Sequence, residues 1–208
     1  MTTPDTWRLI HAERRALISD LESLPDERWA TPSLCSDWTV RQVLGHMVAT
    51  AKMTPPRFVL GMASAGFRFK VMSARDVARE TAGPPGDTLA QFKQLVSATN
   101  HPPGPITAML GEVVLHSEDI RRPLGIERKY PLELLVTVAD FYKGSNLLLG
   151  SKARISGLTL QATDAAWTTG TGAEVTGPMI SLLLAMTGRR AGLPELSGAG
   201  VATLRGRM

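Results

Sequence analysis

The sequence is short of the features that staple secreted domains or carry chains through bilayers. It has one cysteine, Cys35, among 208 residues. That excludes an internal disulfide framework and a multi-cysteine zinc site, and it fits a reducing cytoplasm. No run approaches the roughly 18 apolar residues that a membrane-spanning helix needs. Met1 to Asp5 is polar and leads into a charged amphipathic helix, not a signal sequence. A cytoplasmic protein with no membrane partner is therefore expected. Charge of one sign is also scarce, with 23 basic against 19 acidic residues and a net charge of +4. The arginines are scattered: Arg121-Arg122, Arg189-Arg190 and Arg205/Arg207 are the only close groupings, and no nucleic-acid-binding motif accompanies them. No nucleic-acid partner is expected, and the small surplus suits a small acidic substrate equally well. Internal repeats and low-complexity tracts are absent.

What is present is an ordinary globular composition, 43% hydrophobic and 20% charged, in a chain long enough for one large domain or two small ones. Apolar residues at helical spacing predict a first helix from about Pro4 to Leu24, with Trp7, Ile10, Leu17, Ile18 and Leu21 on its stripe. Thr39 with Gln42 three later reads as a capping box. It opens a second helix whose stripe is Val40, Val43, Leu44, Met47, Val48 and Ala51. The segment from Pro55 to Gly86 reads as a connection, helical from about Phe58 to Ala82, with basic residues that suit a solvated face. Asp87 reads as the cap of a third bundle helix. A fourth runs from about 105 to 121, with Ile106, Met109, Leu110, Val113, Val114 and Ile120 facing inward. Pro131 starts another helix, to about Leu149.

Composition shifts beyond that point. Residues 155 to 176 alternate in the β manner between glycine-rich turns, Met179 to Met186 reads as a short apolar helix, and Val201 to Leu204 as a last strand. The fold class expected is therefore mainly α with a small α+β C-terminal domain. Residues 1–149 would form the helical domain and 150–208 a short sheet with one helix packed on it.

Glu112 and His116 lie four apart and so project from one face of their helix, on the flank of its apolar stripe. Alone, such a pair is usually a surface feature. His46 flanks the stripe of the second helix at about the same angle as Glu112, on a 3.6-residue period. If the two helices pack as antiparallel neighbours, His46, Glu112 and His116 converge. Two imidazoles and a carboxylate suit zinc or a similar divalent ion and leave coordination positions open. Asp119, one turn past His116, is placed either to orient an imidazole N–H or to pair with a neighbouring arginine. Arg189 is placed either to hold a substrate carboxylate or to sit as a cation at the end of the 179–186 helix. Cys35 and Trp38, in the loop before the second helix, read as packing residues.

Three stretches carry a resemblance. They are Leu24-Pro25 through Trp29 with Cys35-Ser36-Asp37-Trp38-Thr39-Val40-Arg41-Gln42-Val43-Leu44-Gly45-His46; Gly111-Glu112-Val113-Val114-Leu115-His116 with Asp119-Ile120-Arg121-Arg122-Pro123-Leu124-Gly125; and Gly177-Pro178 through Gly188-Arg189. The chain resembles the mycothiol-dependent maleylpyruvate isomerase family, within the DinB/YfiT-like metalloenzymes. The resemblance implies a four-helix bundle of up-down-down-up topology, with the 55–87 segment as crossover. It implies His46, Glu112 and His116 as ligands of a divalent metal, usually zinc, and mycothiol as thiol co-substrate. The function expected is a metal- and low-molecular-weight-thiol-dependent transferase or isomerase that acts on a small electrophile through a metal-bound thiolate. The partners are then the electrophile and the thiol, and the assembly a monomer or small homo-oligomer. Two other classes stay open: a metal-dependent hydrolase using bound water, and a non-enzymatic module that binds metal or a small ligand.

Overall fold

The first helix begins where its sequence can satisfy its own free amides. Thr2 and Asp5 form a reciprocal capping box, and Pro4 sits in the first turn, where its missing N–H costs nothing. The computed structural model describes residues 2–35, 37–147 and 149–208; Met1, and Ser36 of the motif quoted above, lie outside the described residues. Helix α1 (Thr3–Leu21) buries Ile10, Leu17 and Leu21 and stops three residues before the expected Leu24, where the chain turns ahead of Pro25. A 3-10 turn, Asp26–Ala30, then buries Trp29.

The Thr39–Gln42 capping box opens α2 (Val40–Ala51) as its spacing predicts. The crossover that follows holds two helices, α3 (Pro55–Ser64) and α4 (Phe69–Glu80), where the sequence suggested one. They are separated by consecutive left-handed residues, Gly66 and Phe67, at φ +60° and +59°. Helix α5 (Pro85–Gln94) is capped by the backbone of Pro84. Asp87, expected to be its cap, lies inside the first turn, where a carboxylate still favours the positive helix end. Helix α6 (Ile106–Leu124) runs three residues past its expected end, through Pro123 to Gly125, whose φ of +71° closes it in the left-handed conformation. Helices α1, α2, α5 and α6 form the bundle: α1 packs on α5 and α6, α2 packs on the same two, and α4 lies along α2. Val43, Leu44, Leu110, Val113, Val114 and Ile120 are fully buried within it. The chain thus has the DinB-like helical fold, followed by a small α+β part.

Two compact units divide the chain, Met1–Glu127 and Arg128–Met208. The helix after Pro131, α7 (Leu132–Lys143), lies in the second unit; the sequence reading grouped it with the bundle. It is shorter than expected, and it packs on α8 (Ser151–Arg154) and α9 (Met179–Met186). Seven of the eight residues of α9 are buried, which is why no polar face is visible in its sequence. The sheet has the order β2-β1-β3. Strand β1 (Leu158–Ala162) pairs antiparallel with β2 (Thr168–Gly170) and parallel with β3 (Ala173–Gly177). The expected last strand at Val201 is instead a helix, α10 (Val201–Arg205). Ser197 bridges to Thr176, and the Gly200 N–H donates to the Glu174 carbonyl at 2.8 Å. The backbone bonding to β3 is thus made before residue 201 is reached, and the chain turns away.

Candidate metal centre

Helices α2 and α6 pack against each other and deliver His46 from one and Glu112 and His116 from the other. One donor atom from each of the three lies within 4.8 Å of the others, and the two imidazole rings meet edge to face with centroids 4.9 Å apart. Gly45, next to His46, lets α2 lie close to the crossover helix α4. A β-carbon there would stand 2.6 Å from the Thr81 methyl of the crossover helix α4. The Thr81 rotamer is fixed by its hydroxyl, which donates to Val77 O at 2.8 Å. Helix α4 can therefore lie close enough for the Ser73 hydroxyl to reach His46 Nδ1 at 3.5 Å.

The tautomer of His116 follows from its partner. A buried carboxylate accepts and does not donate, so the 2.9 Å contact between His116 Nδ1 and Asp119 Oδ2 puts a proton on Nδ1 and aims Nε2 the other way. His46 has its Nδ1 beside Ser73, which likewise leaves Nε2 for the cluster. Glu112 Oε1 is buried and has no hydrogen-bond partner among the described residues, an expensive state for a carboxylate oxygen unless a cation faces it. Two nitrogens and an orphaned oxygen at this spacing fit a divalent ion, with the remaining coordination positions left to a small ligand.

The electrostatics are sharply graded. Burial and the neighbouring His116 charge push the His46 imidazole down to about 3, so it is neutral at physiological pH, as ligation requires. Burial acts on His116 in the same direction, but its hydrogen bonds to Asp119 and Cys35 and the charges of Asp119 and Glu112 outweigh it and lift it to about 10, so without a cation Nε2 also carries a proton, which ligation would displace. Burial raises Glu112, against the pull of His116 and Arg14.

Asp119 Oδ2 lies within hydrogen-bond reach of the His116 imidazole, as one of its two readings requires. Arg121 pairs with Asp20 of α1 at 2.7 Å and Arg122 with Glu118 at 2.9 Å. Sequence reasoning missed Cys35 and Trp38. The Cys35 thiol donates to the same Asp119 oxygen at 3.1 Å, on the Nδ1 side of the His116 ring, and Trp38 covers His46 with ring centroids 5.1 Å apart. A signal for this was present in Pro123. Lacking an N–H, it cannot bond back to the Asp119 carbonyl four residues earlier, and that carbonyl instead accepts from Leu34 N at 3.1 Å. The proline thus opens a socket in α6 for the loop that carries Cys35 and Trp38. Arg189 belongs to the second unit, where its guanidinium donates to Thr187 O at the end of α9 at 3.2 Å, as a cation near a helix C-terminus does.

A bundle with a crossover helix pair, a three-donor cluster between two of its helices and a small α+β unit after it define the class as DinB-like. The family is more particular. Residues 10–103 match the family model for the mycothiol maleylpyruvate isomerase N-terminal domain, the family that the sequence resembles. His46 lies inside the matched stretch, and Glu112 and His116 just beyond it. The chain is similar in fold to the crystal structure of the mycothiol-dependent maleylpyruvate isomerase, with a TM-score of 0.69 and 14% identity over 96% of this chain and 93% of that one. A histidine-to-alanine mutant of that isomerase matches equally, with a TM-score of 0.68 and 13% identity over the same shares. No curated protein sequence matches the chain.

Proposed function

We propose that the protein holds one divalent cation, zinc by the chemistry of its donors, between His46, Glu112 and His116. We further propose that it serves a mycothiol-dependent transferase or isomerase reaction on a small electrophile. The observation that carries the reading is the convergence of the three donors around Glu112 Oε1, which has no hydrogen-bond partner among the described residues. The family match over residues 10–103 supports the thiol. A cation held there supplies Lewis acidity, which favours the thiolate form of a thiol placed at an open position. The protein's own part is to position. Asp119 fixes the His116 ring through its Nδ1 proton, Ser73 steadies His46, and Trp38 screens the His46 ring from solvent. Cys35 hydrogen-bonds to Asp119 on the Nδ1 side of the His116 ring, and the family match supplies the thiol co-substrate.

The test is elemental analysis of protein purified without a histidine tag, followed by turnover of maleylpyruvate and other small electrophiles with and without mycothiol. About one zinc per chain, lost in His116→Ala, together with activity that needs the thiol, is the expected result. No metal after reconstitution with zinc, nickel and manganese would overturn the ligand assignment. Metal-dependent turnover without thiol would make the protein a hydrolase.

A further inference from the structure

Helix α3, Pro55–Ser64, buries none of its residues although most of them are apolar. Ten residues is below the length, roughly 12–15, at which even good isolated helices are marginal in water. Its outward residues Val59 and Leu60 are 60% and 70% exposed, and just beyond it Phe67 and Phe69 are 76% and 53% exposed. Four large apolar side chains within eleven residues, all turned to solvent, form a patch of the kind that marks a docking surface. The turn between the helices aims one of them: Phe67 holds φ +59°, a backbone conformation that bulky residues rarely adopt and that tends to persist where function requires it.

The charge around the patch identifies its partner. From Thr54 to Glu80 the chain carries Arg57, Arg68, Lys70, Arg75 and Arg79 against Asp76 and Glu80, and those two carboxylates pair with Arg79 and Lys52; Arg57, Arg68 and Lys70 are exposed beside the apolar side chains. Two hairpins docked on each other would set these cations face to face, which disfavours a second copy as the occupant. An apolar face rimmed by cations is complementary to an anionic lipid surface, where the rings enter the acyl boundary and the basic groups meet the headgroups. No helix of the described residues is long and apolar enough to cross a membrane, so the contact is peripheral. The expectation of no membrane partner rested on the absence of a spanning run, which does not bear on such a contact.

We propose that the α3–α4 hairpin docks the protein on anionic phospholipid surfaces through Val59, Leu60, Phe67 and Phe69. The test is sedimentation of the full-length protein with sucrose-loaded vesicles, one set of phosphatidylcholine alone and one containing about a quarter phosphatidylglycerol, at roughly 0.1 M salt. The protein should pellet with the anionic vesicles, stay in solution with the neutral ones, and be released by salt several-fold higher. The double variant Phe67→Ala/Phe69→Ala should bind at least about tenfold more weakly, with metal content and melting temperature retained. Phe67→Gly should also weaken binding while its melting temperature holds or rises, because glycine adopts the left-handed turn without strain. Absence of binding to anionic vesicles, or binding that the double variant leaves intact, overturns the proposal. So does a dimer in light scattering that the double variant dissociates, since the patch would then belong to a second copy.

Discussion

Asp119 Oδ2 accepts from two donors at once, His116 Nδ1 at 2.9 Å and the Cys35 thiol at 3.1 Å. The two bonds differ in strength. The imidazole bond is charge-assisted, whereas a thiol is a weak donor. Asp119→Ala should therefore weaken metal binding by roughly 10- to 100-fold, read by competition with a chromophoric chelator, and Cys35→Ala should weaken it less. Equal loss in both would mean that Cys35 contributes more than a hydrogen bond. In the second unit, Asp140 shows the acid side of the same physics. Burial is the largest single influence and raises its pKa, but the hydrogen bonds from Lys143 and from Trp167 Nε1 and the Lys143 charge together outweigh it and hold it below the usual carboxylate range. A depressed carboxylate stabilises the folded state above its unfolded pKa, about 3.9, and that contribution fades as pH falls through the folded value. Asp140→Asn should be less stable than wild type near neutral pH, and the difference in melting temperature should close as pH falls through the folded-state pKa of Asp140. A difference that persists there would put the effect in packing and not in charge.

Between helices, small residues do the positioning. Alanine is intrinsically a better helix former than glycine by about 1 kcal/mol, so Gly45→Ala would stabilise an isolated α2. In this bundle it should destabilise by roughly 1–3 kcal/mol in urea unfolding, because the new methyl meets a Thr81 side chain that its own hydrogen bond prevents from moving aside. Pro123→Ala should do the reverse. Residue 123 regains an N–H that competes for the Asp119 carbonyl, so the Leu34 amide should exchange hydrogen faster while α6 exchanges more slowly. Faster exchange in α6 would refute the socket account. At this scale the sequence was legible wherever a local signal acts alone: the Thr39–Gln42 box and the apolar stripe of α6. The break between α3 and α4 was not legible, because nothing local favours a phenylalanine at positive φ. Nor was α10, since an apolar run of four fits strand and helix alike.

The three candidate ligands all come from the first compact unit, Met1–Glu127. A bound ion stabilises the part of the chain that folds around it, by about 4 kcal/mol when its free concentration is a thousand times Kd. Calorimetry of the zinc-loaded protein should therefore show that a chelator lowers the melting of the first unit, on the order of 10 °C. The transition of the second unit, followed by the fluorescence of its Trp167, should stay in place. A chelator that shifts neither transition would argue against the ion.

By itself the sequence determined the helical class, the composition of the core and the three positions from which donors can project. These follow from periodicity and capping, which act within a turn or two of chain. It also carried enough of the family's pattern, from Leu24 to His46 and from Gly111 to Gly125, to suggest the same bundle and ligands. Only tertiary structure decided that α7 packs on α8 and α9, that Asp119 comes within hydrogen-bond reach of His116 while Arg121 meets Asp20 and Arg122 meets Glu118, and that Cys35 and Trp38 flank the imidazoles. Each of those outcomes is a choice among partners far apart in sequence. Such choices are settled by which groups packing brings within hydrogen-bond reach and which buried donors would otherwise go unpaired.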